Sequence, residues 1–212
     1  MTSPAVQFAS GSDSSDPTFA VAFPSPNTAG NTLVISIFFQ GAGTPTVTDS
    51  RGNVYGAPVV SASNGGNQVF FWVVLGCKGG ANTVTSTLGS GTLQLTVIEY
   101  AKSGASGIRQ RSTLLASGAS NPSISLPTTV SGDICVALFC GSGTSQVAGN
   151  IAGSAANVLG HDLSDILTED GLSTGGTTTC TSTGSTSNWL AVALALGPIQ
   201  NESLFMGSGT VQ

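Results

Sequence analysis

Charge is the scarcest property of this sequence. Asp, Glu, Lys and Arg make up only 7% of its 212 residues, against roughly a quarter in an ordinary soluble domain. Five basic residues, Arg51, Lys78, Lys102, Arg109 and Arg111, lie scattered in a chain of net charge −5. That excludes nucleic acid as a partner, because contacts from many Lys and Arg side chains supply most of the affinity for a phosphate backbone. Long apolar runs are missing too. LVISIFF and WLAVALAL are strand-sized, well below the ~18 residues a membrane-spanning helix needs, so no membrane insertion is expected. The opening residues show no basic segment followed by an apolar one, and no signal peptide is expected. A single histidine, His161, leaves a zinc site unsupported and offers one imidazole as a base. With one imidazole to serve the many Ser and Thr residues, nucleophilic catalysis is not expected. The four cysteines, Cys77, Cys135, Cys140 and Cys180, contain no CxxC pair. Cys135 and Cys140 are five apart on one expected strand and point to opposite faces. Buried free thiols and a disulfide such as Cys140 to Cys180 are the two readings left open.

What fills the chain is Gly, with 29 positions, Ser, Thr, and a hydrophobic fraction of 40% at a mean hydropathy of +0.28. Strand-length apolar runs recur between Gly, Asn, Ser and Pro clusters, the pattern of an all-β sandwich or barrel. Expected strands cover residues 5–9, 19–23, 32–39, 46–49, 56–63, 68–75, 82–88 and 93–100, then 109–116, 124–126, 133–140, 177–183 and 189–196. Residues 160–170, GHDLSDILTED, are the one place where short helical turns fit. The expected architecture is an antiparallel β-sandwich of jelly-roll type, a single domain over residues 17–200 flanked by arms at 1–16 and 201–212. FFQGAGT at 38–44 and LFCGSGT at 138–144 echo each other at an offset of 100 residues, which raises a pseudo-repeat of 17–105 and 120–200. Runs such as VALFC and LAVALAL are too apolar to leave either face wet.

GNTLVISIFF, TVTDSRGNVY, CKGGANTVTSTL, LQLTVIEY, SGDICVALF and SNWLAVALAL together resemble a recurrent β-sandwich family of bacterial surface proteins and tailed-phage virion proteins. The resemblance covers about four-fifths of the chain and implies an extracellular or virion module that is structural or adhesive; it transfers no functional residue. Residues 109–121 depart from the pattern, and NESLFMGSGTVQ lies outside it.

Three segments are candidates for chemistry. DSRGN at 49–53 spaces Asp49, Arg51 and Asn53 like calcium ligands, yet an arginine holds a ligand position and residue 60, where the distal carboxylate belongs, is Val. Turn chemistry fits better, with Asp, Gly and Asn forming a hairpin corner. The acidic stretch around His161 offers Asp162, Asp165 and Glu169 as a metal site, with Ca2+ the candidate ion, against the plainer reading of a solvated loop packed through Leu163, Ile166 and Leu167. Glu99, at the end of the apolar stripe Leu93, Leu95 and Val97, with Asp133, Asp165 or Glu169 as a partner, is the only glycosidase-like pairing, and a carboxylate bonded to a loop is its ordinary reading. Trp72 and Trp189 are read as core residues rather than sugar platforms.

A hydroxyl-rich surface poor in charge suits self-association. Leu204, Phe205 and Met206 are the expected interface residues of the C-terminal arm, Phe205 anchoring an added β-strand on a neighbour. The expectation is a non-enzymatic, homo-oligomeric virion structural protein of a tailed phage, a capsid decoration or tail-associated protein. It would touch other virion proteins or a cell-surface glycan. A secreted carbohydrate-binding or adhesion module, or an extracellular filament subunit, is the alternative, with an extracellular or cell-surface location.

Overall fold

The computed structural model describes residues 3–16, 18–87, 91–141, 146–163, 165–184 and 186–198, and no described residue is helical. The first half of the chain forms β1 (Ala5–Asp13), β2 (Thr18–Ala22), β3 (Thr32–Gln40), β4 (Thr46–Asp49), β5 (Val60–Asn64), β6 (Asn67–Val74), β7 (Thr83–Thr87) and β8 (Thr92–Tyr100). The second half forms β9 (Gly107–Ser120), β10 (Ser123–Thr129), β11 (Ile134–Gly141), β12 (Val147–Ile151), β13 (Ser154–Ala155), β14 (Asn157–Gly160), β15 (Ile166–Leu172), β16 (Gly176–Thr183) and β17 (Thr186–Gly197).

These strands build four antiparallel sheets that pack face to face. A first inner sheet, β1-β8-β3-β6-β5, carries a first outer sheet, β2-β7-β4, on one side. Its other side packs on a second inner sheet, β14-β15-β11-β17-β9, which carries a second outer sheet, β10-β16-β12-β13. The central inner strands are therefore covered on both faces, and their sequences show it. In TLVISIFFQ of β3 only Gln40 is exposed. Leu33, Ile35, Ile37 and Phe39 face the first outer sheet, while Val34 and Phe38 face the second inner sheet. ICVALFCG of β11 divides likewise, with Cys135, Ala137 and Phe139 outward and Ile134, Val136, Leu138 and Cys140 toward the first half. Outer strands such as TFAVA and TVTST alternate instead, because one of their faces meets water.

The halves share one plan. Pairs β1·β8, β2·β7 and β3·β6 nest in the first half, and β9·β17, β10·β16 and β11·β15 nest in the second. In both, the strand before the last inner hairpin joins its inner sheet: β5 pairs with β6 and β14 with β15. The inner sheets stack with β1 over β14 and β5 over β9. Leu163, just before β15, donates its N–H to Gln94 near the start of β8, and Tyr100 at the end of β8 reaches Asp170 late in β15. Those two strands consequently run the same way, and an approximate two-fold along the strand direction relates the halves. Two polar pairs bridge the inner sheets, Ser36 Oγ with Thr168 Oγ1 at 3.0 Å and Tyr100 Oη donating to Asp170 at 3.1 Å.

Two local expectations change. The stretch at 160–170 is not helical: Asn157–Gly160 and Ile166–Leu172 are strands, and burial of Ile166 to Asp170 on both faces of an inner sheet overrides the helix-like spacing. DSRGN is a corner but not a hairpin, since β4 pairs with β7 and residues 54–59 form no strand. Residues 5–13, inside the N-terminal arm, form β1 along β8.

Because the inner faces are buried only against each other, the halves should unfold as one unit. Phe71→Ala, which opens a cavity at that interface, is expected to cost ~3–5 kcal/mol. Denaturation followed separately by Trp72 and by Trp189, in single-tryptophan variants, should give coincident transitions.

Candidate functional site

A cleft of about 440 Å³ opens in the first half where β4 and β5 diverge. It exists because β5 has joined the inner sheet, leaving the outer and inner sheets unzipped along that flank. Phe70 and Trp72 of β6 form its floor, their rings 5.5 Å apart, with Val47, Tyr55, Pro45 and Pro58 as walls and Thr44, Thr46 and Ser61 at the rim. Its volume falls within the ~300–1,000 Å³ of ligand clefts, and an apolar floor with a polar rim is their usual lining. Trp72, only 2% exposed, donates its indole N–H to the Gly56 carbonyl at 3.1 Å, so both the ring and the loop above it are fixed.

The DSRGN corner builds one wall of this cleft. Asp49 accepts from the backbone N–H groups of Arg51 and Asn53, from the Asn53 and Asn82 amides at 2.6 and 3.0 Å, and from Tyr55 Oη at 2.8 Å. Gly52, at φ +68°, supplies the left-handed residue of the turn. Burial alone would raise the Asp49 pKa, but these donors outweigh it and hold the carboxyl below its ordinary value. Tyr55, desolvated and bonded to that carboxylate, is pushed far up and stays neutral. Asp49 is thus a hydrogen-bond hub whose donor-filled oxygens position Tyr55 against the cleft.

Glu99 plays the same part at the same end of the sandwich, across the loop that follows β6. It is fully buried and accepts from Gln7, Asn27 and Asn31 amides and the Thr28 N–H at 2.5–2.8 Å. Burial pushes its pKa up, and the four donors bring it below the usual value. Asp133, one of the carboxylates considered as its partner, is instead ion-paired with Arg109, Nε to Oδ2 2.6 Å. The registers Ile35↔Val97 and Cys135↔Ala195 put Glu99 and Gly197 at corresponding places in the two halves. A Cβ at Gly197 would collide with Asp133 and Arg109, so the second half replaces the buried glutamate by an ion pair laid over a glycine.

The structure does not gather the acidic stretch. Asp162 is exposed on the turn before β15 and Asp165 half-buried, whereas Glu169 and Asp170 are fully buried on opposite faces of β15. Among the described residues no three His, Cys, Asp or Glu side chains lie close enough to hold a metal ion. Asp170 accepts from Ser3, Tyr100 and Asn157. Glu169 faces the second outer sheet, where Oε2 accepts one N–H, from Gly149 at 3.3 Å, and Oε1 has no partner. Desolvation raises its pKa to about 8. All four cysteines are free and buried. Leu204, Phe205 and Met206 lie outside the described residues. The cleft itself escaped the sequence reading because Trp72 and Phe70 sit in an unbroken strand, VFFWVVL, that gives no hint of where the covering sheet stops.

Asp49→Ala should cost ~2–3 kcal/mol through the donors it orphans, and Tyr55→Phe about 1 kcal/mol, in chemical denaturation. Glu169 gives a pH signature. Its folded pKa of about 8 lies above the ordinary 4.5, so its contribution to stability is fully present below pH ~4.5 and is lost as pH rises toward 8, at up to ~1.4 kcal/mol per unit. Glu169→Gln should flatten the stability profile between pH 5 and 8 and be the more stable protein at pH 8. No family model, curated protein or solved structure matches the chain.

Proposed function

We propose that this chain is a non-enzymatic structural module that assembles with copies of itself in a virion, as a capsid decoration or tail-associated protein of a tailed phage. The observation that carries the self-assembly is β9. It is the longest strand, Gly107–Ser120, and the edge of the second inner sheet, hydrogen-bonded on one side to β17. An edge strand left bare is a template for another chain, and natural proteins blunt it with charge, proline or brevity. β9 has Arg109 and Arg111 at its start, then nine residues, 112–120, with neither charge nor proline. Leu114 and Leu115 there are 38% and 56% exposed, on opposite faces of the sheet. In a two-fold antiparallel pairing of β9 with its copy centred on these leucines, Arg111 would stand opposite small uncharged residues, so no like charges meet. The nested strand pairs support the jelly-roll reading, and the resemblance to surface and phage β-sandwich modules supports the setting.

A second reading, a carbohydrate-binding or adhesion module, is favoured by the Phe70, Trp72 and Tyr55 cleft with its hydroxyl rim. Glycan-array binding lost in Trp72→Ala would establish it.

Mass photometry and sedimentation test the assembly. The wild type should be larger than a monomer, and Leu115→Lys should lower its mass while leaving the melting temperature within ~2–4 °C. A wild-type monomer, or an assembly indifferent to Leu115→Lys, would overturn the β9 contact.

A further inference from the structure

The two outer sheets differ in one strand. In the second half, β12 turns back through Ala152 and Gly153, and β13 pairs with it, Ile151↔Ser154 and Asn150↔Ala155, covering its edge. In the first half the chain leaves β4 through the Asp49 corner instead, and among the described residues only β7 is bonded to β4. The place corresponding to β13 is the cleft. Val47 of β4, with Phe70 and Trp72 behind it, lines that space. A strand added antiparallel to β4 would satisfy its open N–H and C=O groups, and the residue opposite Val47 would drop its side chain onto the aromatic floor.

We propose that the cleft beside β4 receives residues 201–212 of a second copy of this chain as an added antiparallel strand, with Phe205 opposite Val47. This rests on the self-assembly reading above and names a second contact for it. The segment NESLFMGSGTVQ has one apolar triplet, no proline and one charge, Glu202. With Phe205 opposite Val47, Glu202 falls opposite Ser50 and beside the exposed Arg51, one of five basic residues in the chain.

Distance selects a second copy over the chain's own end. Phe205 follows Gly197 by eight residues, at most ~29 Å of fully extended chain. β17 ends at the level of Ile134, two layers below the first outer sheet. Ser36 meets Thr168, which pairs with Leu138, so that level is also the start of β3. Two layer spacings of ~10 Å and a climb of ~13 Å to the partners of Ile35 and Ile37 give a straight line of ~24 Å through the protein. Too little chain is left to pass round the edge of the inner sheet.

The test uses the full chain. Phe205→Asp should lower the mass of the assembly, and the same variant, in a Trp189→Phe background, should bind a synthetic peptide of residues 199–212 with a change in Trp72 emission. A Phe205→Ala peptide should bind at least about tenfold more weakly, and a peptide N-methylated within the added strand should not bind. Arg51→Glu should weaken binding, and a Glu202→Arg peptide should restore it. Peptide binding retained in Leu115→Lys keeps this contact distinct from β9. No peptide binding, or equal binding by the Phe205→Ala peptide, overturns the proposal. So does a Phe205→Asp variant that binds peptide while the wild type is monomeric, which would make the occupant the chain's own end.

Discussion

Everything in this protein depends on the packing of two inner sheets against each other. Each is already covered by an outer sheet, so the central inner strands β3, β8 and β11 have no wet face, and residues such as Val34, Phe71, Val136 and Leu194 lie in one shared core. Neither half can be removed without exposing that core to water, which is the dominant cost in folding thermodynamics. The constraint accounts for the composition. Strands buried on both sides must be apolar throughout, and the scarcity of charge follows where so much of the chain is inner strand.

Several of the polar groups inside this frame are carboxylates, most of them used as hydrogen-bond hubs. Glu99, Asp133, Glu169 and Asp170 are buried, four of the ten acidic residues, and Asp49 is partly so. Three of them, Asp49, Glu99 and Asp170, organise loops or join distant segments through several neutral donors, and Asp133 takes an arginine. Glu169 alone has a single weak donor, and it is the one whose pKa is driven to about 8. With these carboxylates occupied indoors, little charge is left to keep neighbouring molecules apart.

The halves share a plan but differ in their outer parts, and function is read from the differences. Glu99 and its amides stand where the second half has Gly197 under an ion pair. β13 covers an edge that β4 leaves open, and the aromatic cleft occupies the difference. A shared inner frame holding unequal edges gives one chain two kinds of contact surface.

Sequence by itself determined that the protein is all-β, because Gly, Asn and Pro punctuation and strand-length apolar runs are local properties. It also located the ends of the central strands, since FFQGAGT and LFCGSGT close β3 and β11. β12 to β15 were not legible: AGNI and TED look polar, and only burial between two layers makes Thr168, Glu169 and Asp170 strand residues. The corner at DSRGN was visible, but not that β4 would pair with β7, because strand partners 35 to 41 residues apart follow from how the sheets stack. The cleft, the bare edge of β9 and the separation of Asp162 from Glu169 are likewise tertiary. They depend on where one sheet stops covering another, which strand-by-strand periodicity does not encode.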